Sequence, residues 1–216
     1  VFYFGACVAQ NRYATPQVRA ELQWHAPTGL TQGEPVWLGL TLRHQKEWHT
    51  YWQNPGDSGL PTALEWRLPK GVTVTEMLWP LPQKLRLGEW VNYGFEGEVT
   101  LVAPLHVDPG YRAPDGILRV GLTAHWLVCR TECIPQSGEF QLDLPWGEAG
   151  NRVDLGVAET LARQPKTWHG PIETRFENGA LLIQARDLPP DWVGQKVRLF
   201  PLQNELIAAP AEEHPR

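Results

Sequence analysis

Two of the three cysteines stand close together, Cys129 and Cys133, in Trp126-Leu127-Val128-Cys129-Arg130-Thr131-Glu132-Cys133-Ile134-Pro135. With three residues between them, the pair closes a small ring if the backbone turns back, because a disulfide needs Cα atoms within about 4.4–6.8 Å. A loop this short removes little entropy from the unfolded chain. Such a bond suits chemistry better than stapling. The chemistry is thiol–disulfide exchange, in which a reachable thiolate attacks a disulfide sulfur. Cys129 ends an apolar run and Cys133 precedes Pro135 in a polar turn. That order predicts one sulfur held on a strand and one near the surface.

Other uses of the same residues stay open. The bond could be a small structural staple, and His125 with Cys129 and Cys133 offers soft and imidazole ligands suited to copper(I) or zinc. On an extended strand, however, His125 and Cys129 would be about 13 Å apart. The reading therefore predicts no bound metal and no cofactor. Candidates for tuning the thiols are His49, His125, Arg130 and Glu132. Arg130 would favour a thiolate and Glu132 would oppose it. His49, between Trp48 and Thr50, has packing or hydrogen bonding as its plainer role.

The elements that must position these residues read as strands. Val18, Ala20, Leu22 and Trp24 alternate with Gln17, Arg19, Glu21 and Gln23, and Val36, Leu38, Leu40 and Leu42 repeat the pattern. A period of two means half-buried antiparallel strands. Further strands are predicted over Trp48–Trp52, Ala63–Leu68, Val99–Val107, Ile117–Val128 and Glu139–Leu144, separated by turns such as Pro55-Gly56-Asp57 and Pro114-Asp115-Gly116. Short strands without intervening helices predict an all-β, immunoglobulin-like β-sandwich over 17–148. A helix is expected at Asp154–Arg163, within a linker over 149–166. Strands then resume at Ala180–Ala185 and Lys196–Phe200, so 167–216 reads as the start of a second β domain or a β extension of the first.

Composition narrows the class. The net charge of −5 and the lack of a basic run give no support for a nucleic-acid partner. No stretch approaches the roughly 20 apolar residues of a membrane-spanning helix. The apolar Val1–Ala9 reads as a signal remnant within an N-terminal extension over 1–16, with Cys7 a loose echo of a lipid-attachment site; either version implies export. Eleven Trp suit a sandwich core, with a Trp-rich face for sugar or peptide as the rival reading. Trp66, Trp79 and Trp90 are expected to pack in the core or its loops.

Four motifs then occur in a recognisable order: Trp48-His49-Thr50-Tyr51-Trp52-Gln53-Asn54-Pro55-Gly56-Asp57-Ser58-Gly59-Leu60-Pro61, Trp79-Pro80-Leu81-Pro82, Tyr93-Gly94-Phe95-Glu96-Gly97-Glu98-Val99 and Trp126–Pro135. Together they resemble the N-terminal periplasmic domain of DsbD-like and ScsB-like protein-disulfide reductases, over roughly residues 17–145. The three-residue gap between the cysteines fits the ScsB-like branch, and Leu199-Phe200-Pro201 resembles the opening of that branch's next β domain. The resemblance implies a periplasmic domain that takes reducing equivalents from a membrane-embedded reductase domain and passes them to oxidised thioredoxin-fold proteins. It implies that Cys133 forms the mixed disulfides and Cys129 resolves them. It also implies a cap loop over the cysteines, here Val91–Glu96, with Tyr93, Gly94, Phe95 and Glu96 as its shielding part.

Overall fold

The computed structural model describes residues 10–31, 33–192, 194–195, 197–204 and 206–207. The apolar stretch Val1–Ala9, with the export and lipid-attachment reading of Cys7, lies outside the described residues. The strands, in chain order, are β1 (Arg12–Ala14), β2 (Val18–His25), β3 (Val36–His44), β4 (His49–Gly56), β5 (Ala63–Arg67), β6 (Val72–Val74), β7 (Gln83–Leu87) and β8 (Trp90–Glu96). They continue with β9 (Glu98–Val107), β10 (Ile117–Cys129), β11 (Cys133–Pro145), β12 (Ile172–Glu177) and β13 (Ala180–Ala185), with one helix, α1 (Leu155–Ala162), before β12.

Two antiparallel sheets face each other. The first runs β1-β2-β3-β9-β6; the second runs β11-β10-β4-β8-β7, with β5 pairing the other stretch of β10. The alternating residues fill the space between them. Val18, Ala20 and Leu22 of β2, Leu38, Leu40 and Leu42 of β3, and Leu118, Val120, Leu122, Ala124, Trp126 and Val128 of β10 are all buried. Phe140, Leu142 and Leu144 of β11 complete the core. Each Val, Leu or Phe among them contributes about 1.5–3 kcal/mol by leaving water. This is an immunoglobulin-like β-sandwich.

The helix covers the outside of the first sheet rather than its inside. Asp154 caps it, accepting a hydrogen bond from Val157 N–H at 3.0 Å. Val157 is buried against Gly39, where a Cβ would lie 2.4 Å from Val157 Cγ2, so only glycine leaves room for the helix. Beneath the same helix Thr41 and Thr100 bond to each other at 2.8 Å, and Thr160 Oγ1 donates to the Thr100 carbonyl at 3.3 Å. None of the described helices is long and apolar enough to cross a membrane.

Several boundaries differ from the sequence expectation. Strand β11 begins at Cys133, not at Glu139. Pro135 suggests a turn there, but β11 is an edge strand, where a residue without an N–H costs no ladder bond. Strands β1 and β6 are only three residues long and β7 carries little apolar alternation, so none of them was predicted. Strands β8 (Val91, Tyr93, Phe95) and β12 (Ile172, Thr174, Phe176) do alternate, yet were not expected as strands. Lys196 lies outside the described residues, and Val197–Phe200 forms no regular element. Phe200 instead packs edge-on to Trp52 and Tyr93, at centroid distances of 6.2 and 5.5 Å. Asn54 Nδ2 fastens the same segment by donating to the Pro201 carbonyl at 2.8 Å.

Candidate functional site

The cysteines sit where β10 turns into β11. The ladder pairs every residue from Ile117↔Pro145 to Cys129↔Cys133, and Arg130 N–H donates to the Glu132 carbonyl at 3.0 Å to close the turn. Trp126 and Gln136 steady the hairpin behind it: Trp126 Nε1 donates to Gln136 Oε1 at 3.0 Å, and Gln136 Nε2 donates to Gln17 Oε1 at 2.8 Å. The two cysteines are direct cross-strand neighbours with Cα atoms 4.1 Å apart, joined by a disulfide. Their exposure is unequal. Cys129 is 1% exposed, whereas Cys133 stands at the surface.

Strand register extends this pair into a row. Cys129 is opposite His49 of β4, and His49 is opposite Glu96 of β8. Directly opposed residues share a face of the sheet. Cys133, Cys129, His49 and Glu96 therefore lie side by side on the outer face of four adjacent strands. Tyr51, two residues beyond His49, shares that face: its ring stands edge-on to His49 at 5.2 Å, and its hydroxyl is 3.6 Å from Cys133 Sγ.

An outer face would normally meet water, yet His49 and Tyr51 are each 1% exposed. The segment Asn54–Pro61 folds back over Tyr51. Gly56 N–H donates to Asn54 Oδ1 at 2.9 Å, Val91 N–H donates to Asp57 Oδ2 at 2.8 Å, and Ser58 N–H donates to Asn92 Oδ1 at 3.1 Å. Pro61 then bridges alongside Tyr51. Gly59 lies flat on the tyrosine ring with φ +101°, and a Cβ there would be 2.3 Å from Tyr51 Cε1. Burial pushes the Tyr51 hydroxyl above the usual phenol range, against a hydrogen bond from Ser58. It is thus a neutral donor facing Cys133. Burial likewise lowers the His49 imidazole below its ordinary value.

The remaining predicted site residues are dispersed. The stretch expected as a cap loop, Val91–Glu96, is part of strand β8, hydrogen-bonded to β4 on one side and β7 on the other. Tyr93 and Phe95 point into the core, where Tyr93 meets Trp52 at 6.4 Å and Phe95 stacks on Trp79 at 6.5 Å. Gly94 fits against the Thr50 carbonyl, and Glu96 alone reaches the cysteine row. Arg130 lies over the Trp48 ring at 5.3 Å and 3.7 Å from Glu47, so its charge is shared with a carboxylate. Glu132 is exposed in the turn. His125 is four residues along β10 from Cys129, opposite Ala63 and Ser137, with Glu65 at 3.8 Å. Among the described residues, no three metal-ligating side chains gather.

Sequence reasoning treated Tyr51 only as a letter of its motif and Asn54–Pro61 only as a turn. The two-residue spacing of His49 and Tyr51 was the available signal, since it puts both on one strand face. Trp48, Trp52 and Trp126 are buried, and Trp66 and Trp79 pack partly buried against the core; Trp90 is 58% exposed, so it is not the packing residue expected.

Fold and site together define an immunoglobulin-like domain carrying a solvent-facing cross-strand disulfide. The family model for the N-terminal part of the thiol:disulfide interchange protein DsbD matches residues 16–145, which takes in every strand of the sandwich but the edge strand β1, and the chain belongs to that family of thiol–disulfide exchange domains. Among solved structures, the N-terminal periplasmic domain of ScsB from Proteus mirabilis matches with TM-score 0.58 and 19% identity, over 81% of this chain and 67% of that one. The N-terminal domain of Neisseria meningitidis DsbD, in its reduced form, matches with TM-score 0.38 and 10% identity, over 58% of this chain and 85% of that one. A comparison with curated proteins gives no match.

Proposed function

We propose that this chain is a periplasmic protein-disulfide reductase domain in which Cys133 attacks oxidised thioredoxin-fold partners and Cys129 resolves the mixed disulfide. The observation that supports this assignment of roles is the unequal exposure of two bonded sulfurs, Cys133 at the surface and Cys129 at 1%. Only the exposed sulfur can meet a macromolecular disulfide, and only the covered one is held within bonding reach of it. Reducing equivalents reach the pair from a membrane-embedded reductase domain. Family membership supports the exchange chemistry, and the likeness to a periplasmic ScsB domain agrees in fold.

Each turnover balances. The Cys133 thiolate displaces one partner sulfur as a thiolate; Cys129 then displaces the other, leaving the partner reduced by two electrons and the Cys129–Cys133 pair oxidised. The test is a trap. Reduced Cys129→Ser protein, mixed with oxidised periplasmic thioredoxin-fold proteins, is expected to give a dithiothreitol-sensitive adduct through Cys133. Cys133→Ser should give none. Absence of the adduct from Cys129→Ser, or adducts formed equally by both variants, would overturn the assignment.

A further inference from the structure

The second step of that reaction sets a problem of protons. Cys129 must lose its proton to attack, yet it is 1% exposed and its cross-strand neighbour His49 is equally covered. A base already beside the sulfur can take the proton at the moment of attack, whereas bulk water has little access to it.

His49 fits this need in three ways. It is directly opposite Cys129 in the ladder, where facing residues have Cα atoms only about 4.5–5.5 Å apart. Its Nε2 is buried with no hydrogen-bond partner among the described residues, an arrangement that ordinarily costs about 1–3 kcal/mol and calls for an explanation. It also lines a groove, shared with Glu47, Lys84, Arg86, Glu96 and Arg130, through which a proton can leave.

We propose that His49 Nε2 takes the Cys129 proton as the Cys129 sulfur attacks the mixed disulfide. This rests on the exchange reading above, with Cys133 as the contact sulfur. The Cys129 S–H bond breaks and its proton passes to the imidazole. A Cys129–Cys133 bond forms while the Cys133–partner bond breaks, and the partner sulfur departs with the electron pair. The imidazolium then returns its proton to water in the groove, which protonates the departing thiolate. The charged and titratable groups around the imidazole are Tyr51 on its own strand, His44 and Glu47 from the end of β3 and its turn, Glu96 from β8, Lys84 and Arg86 from β7, and Arg130 from the cysteine turn. Burial keeps the ring neutral, and so able to accept, at neutral pH.

One equivalent of a chromogenic aryl disulfide tests this on the reduced protein. The Cys133 attack releases a first aryl thiolate, and closure by Cys129 releases a second. His49→Gln is expected to slow the second phase by about tenfold or more while sparing the first. A folded His49→Gln protein whose second phase keeps the wild-type rate and pH profile would overturn the proposal. The wild-type protein gives a check that needs no variant. With the imidazole as acceptor, and its pKa lowered by burial, the second phase should already be level at the ordinary imidazole value of about pH 6.5 and above it. A steady tenfold rise per pH unit towards about pH 8.5, as for an unassisted thiol, would overturn it. A reduced protein that releases no aryl thiolate at all would instead sink the exchange reading itself.

Discussion

The Tyr51 hydroxyl stands 3.6 Å from Cys133 Sγ, although 82 residues separate the two in sequence. The contact joins the covered outer face of β4 to the surface sulfur of the β10–β11 hairpin. Since burial keeps the phenol protonated, it can donate to a Cys133 thiolate and so favour the reactive form. Tyr51→Phe should slow alkylation of Cys133 in the reduced protein by about threefold to tenfold at pH 7, the worth of one hydrogen bond to a charged group at a long distance. Peptide mass spectrometry over time measures it. An unchanged or faster rate would remove Tyr51 from the site.

Gly59 has a positive φ and no room for a Cβ against the Tyr51 ring. Gly59→Ala must displace the ring or lift the covering segment. A loss of about 2–4 kcal/mol in denaturant unfolding is expected, from backbone strain and overpacking together. Cys133 should also alkylate at a changed rate, because its tyrosine contact moves. A substitution with neither effect would show that Asn54–Pro61 yields freely.

Asn54 is buried and uses both ends of its amide, accepting from Gly56 N–H and donating to the carbonyls of Pro201 and, at 3.3 Å, Gln203. Asn54→Ala should cost about 1–3 kcal/mol. It should also raise amide exchange in the segment around Phe200, which it ties to the sandwich. Protection unchanged there would mean that Phe200 packing on Trp52 and Tyr93 suffices.

Acid should weaken the fold through His44. Its Nδ1–H donates to the Gly97 carbonyl at 2.8 Å, and its Nε2 lies 3.0 Å from Thr50 Oγ1. Burial lowers its pKa from 6.5 to about 4, with His49 pushing the same way. The unfolded chain thus binds a proton that the folded chain refuses between those values. Stability from this group is complete above about pH 6.5 and falls as pH drops toward 4. The His49 shift, in the same direction, adds to the slope. Urea midpoints measured from pH 7 to 4.5 should decline more steeply for wild type than for His44→Gln; equal slopes would contradict the assignment.

Local patterns settled much of this protein in advance. Alternation in β2, β3 and β10 depends only on neighbours two residues apart, so the sandwich was legible. The cysteine hairpin was too, because both sulfurs lie within one turn of chain. The stretch Val91–Glu96, expected as a cap loop from the resemblance, is a strand: it forms a local hairpin with β7, its pairing to β4 is long-range, and its apolar residues face a core supplied by Trp52, Trp79 and Phe200.

What the tertiary structure alone decided is the setting of the sulfurs. Register between β10, β4 and β8 placed Cys129 beside His49 and His49 beside Glu96. No residue spacing within any single strand encodes that, since a shift of one residue would turn His49 to the opposite face. The fold of Asn54–Pro61 over Tyr51 likewise depends on anchors in β8, which buried the tyrosine on a face that alternation alone would expose to water. The sequence by itself determined which atoms could exchange electrons; packing between distant strands decided which groups surround them.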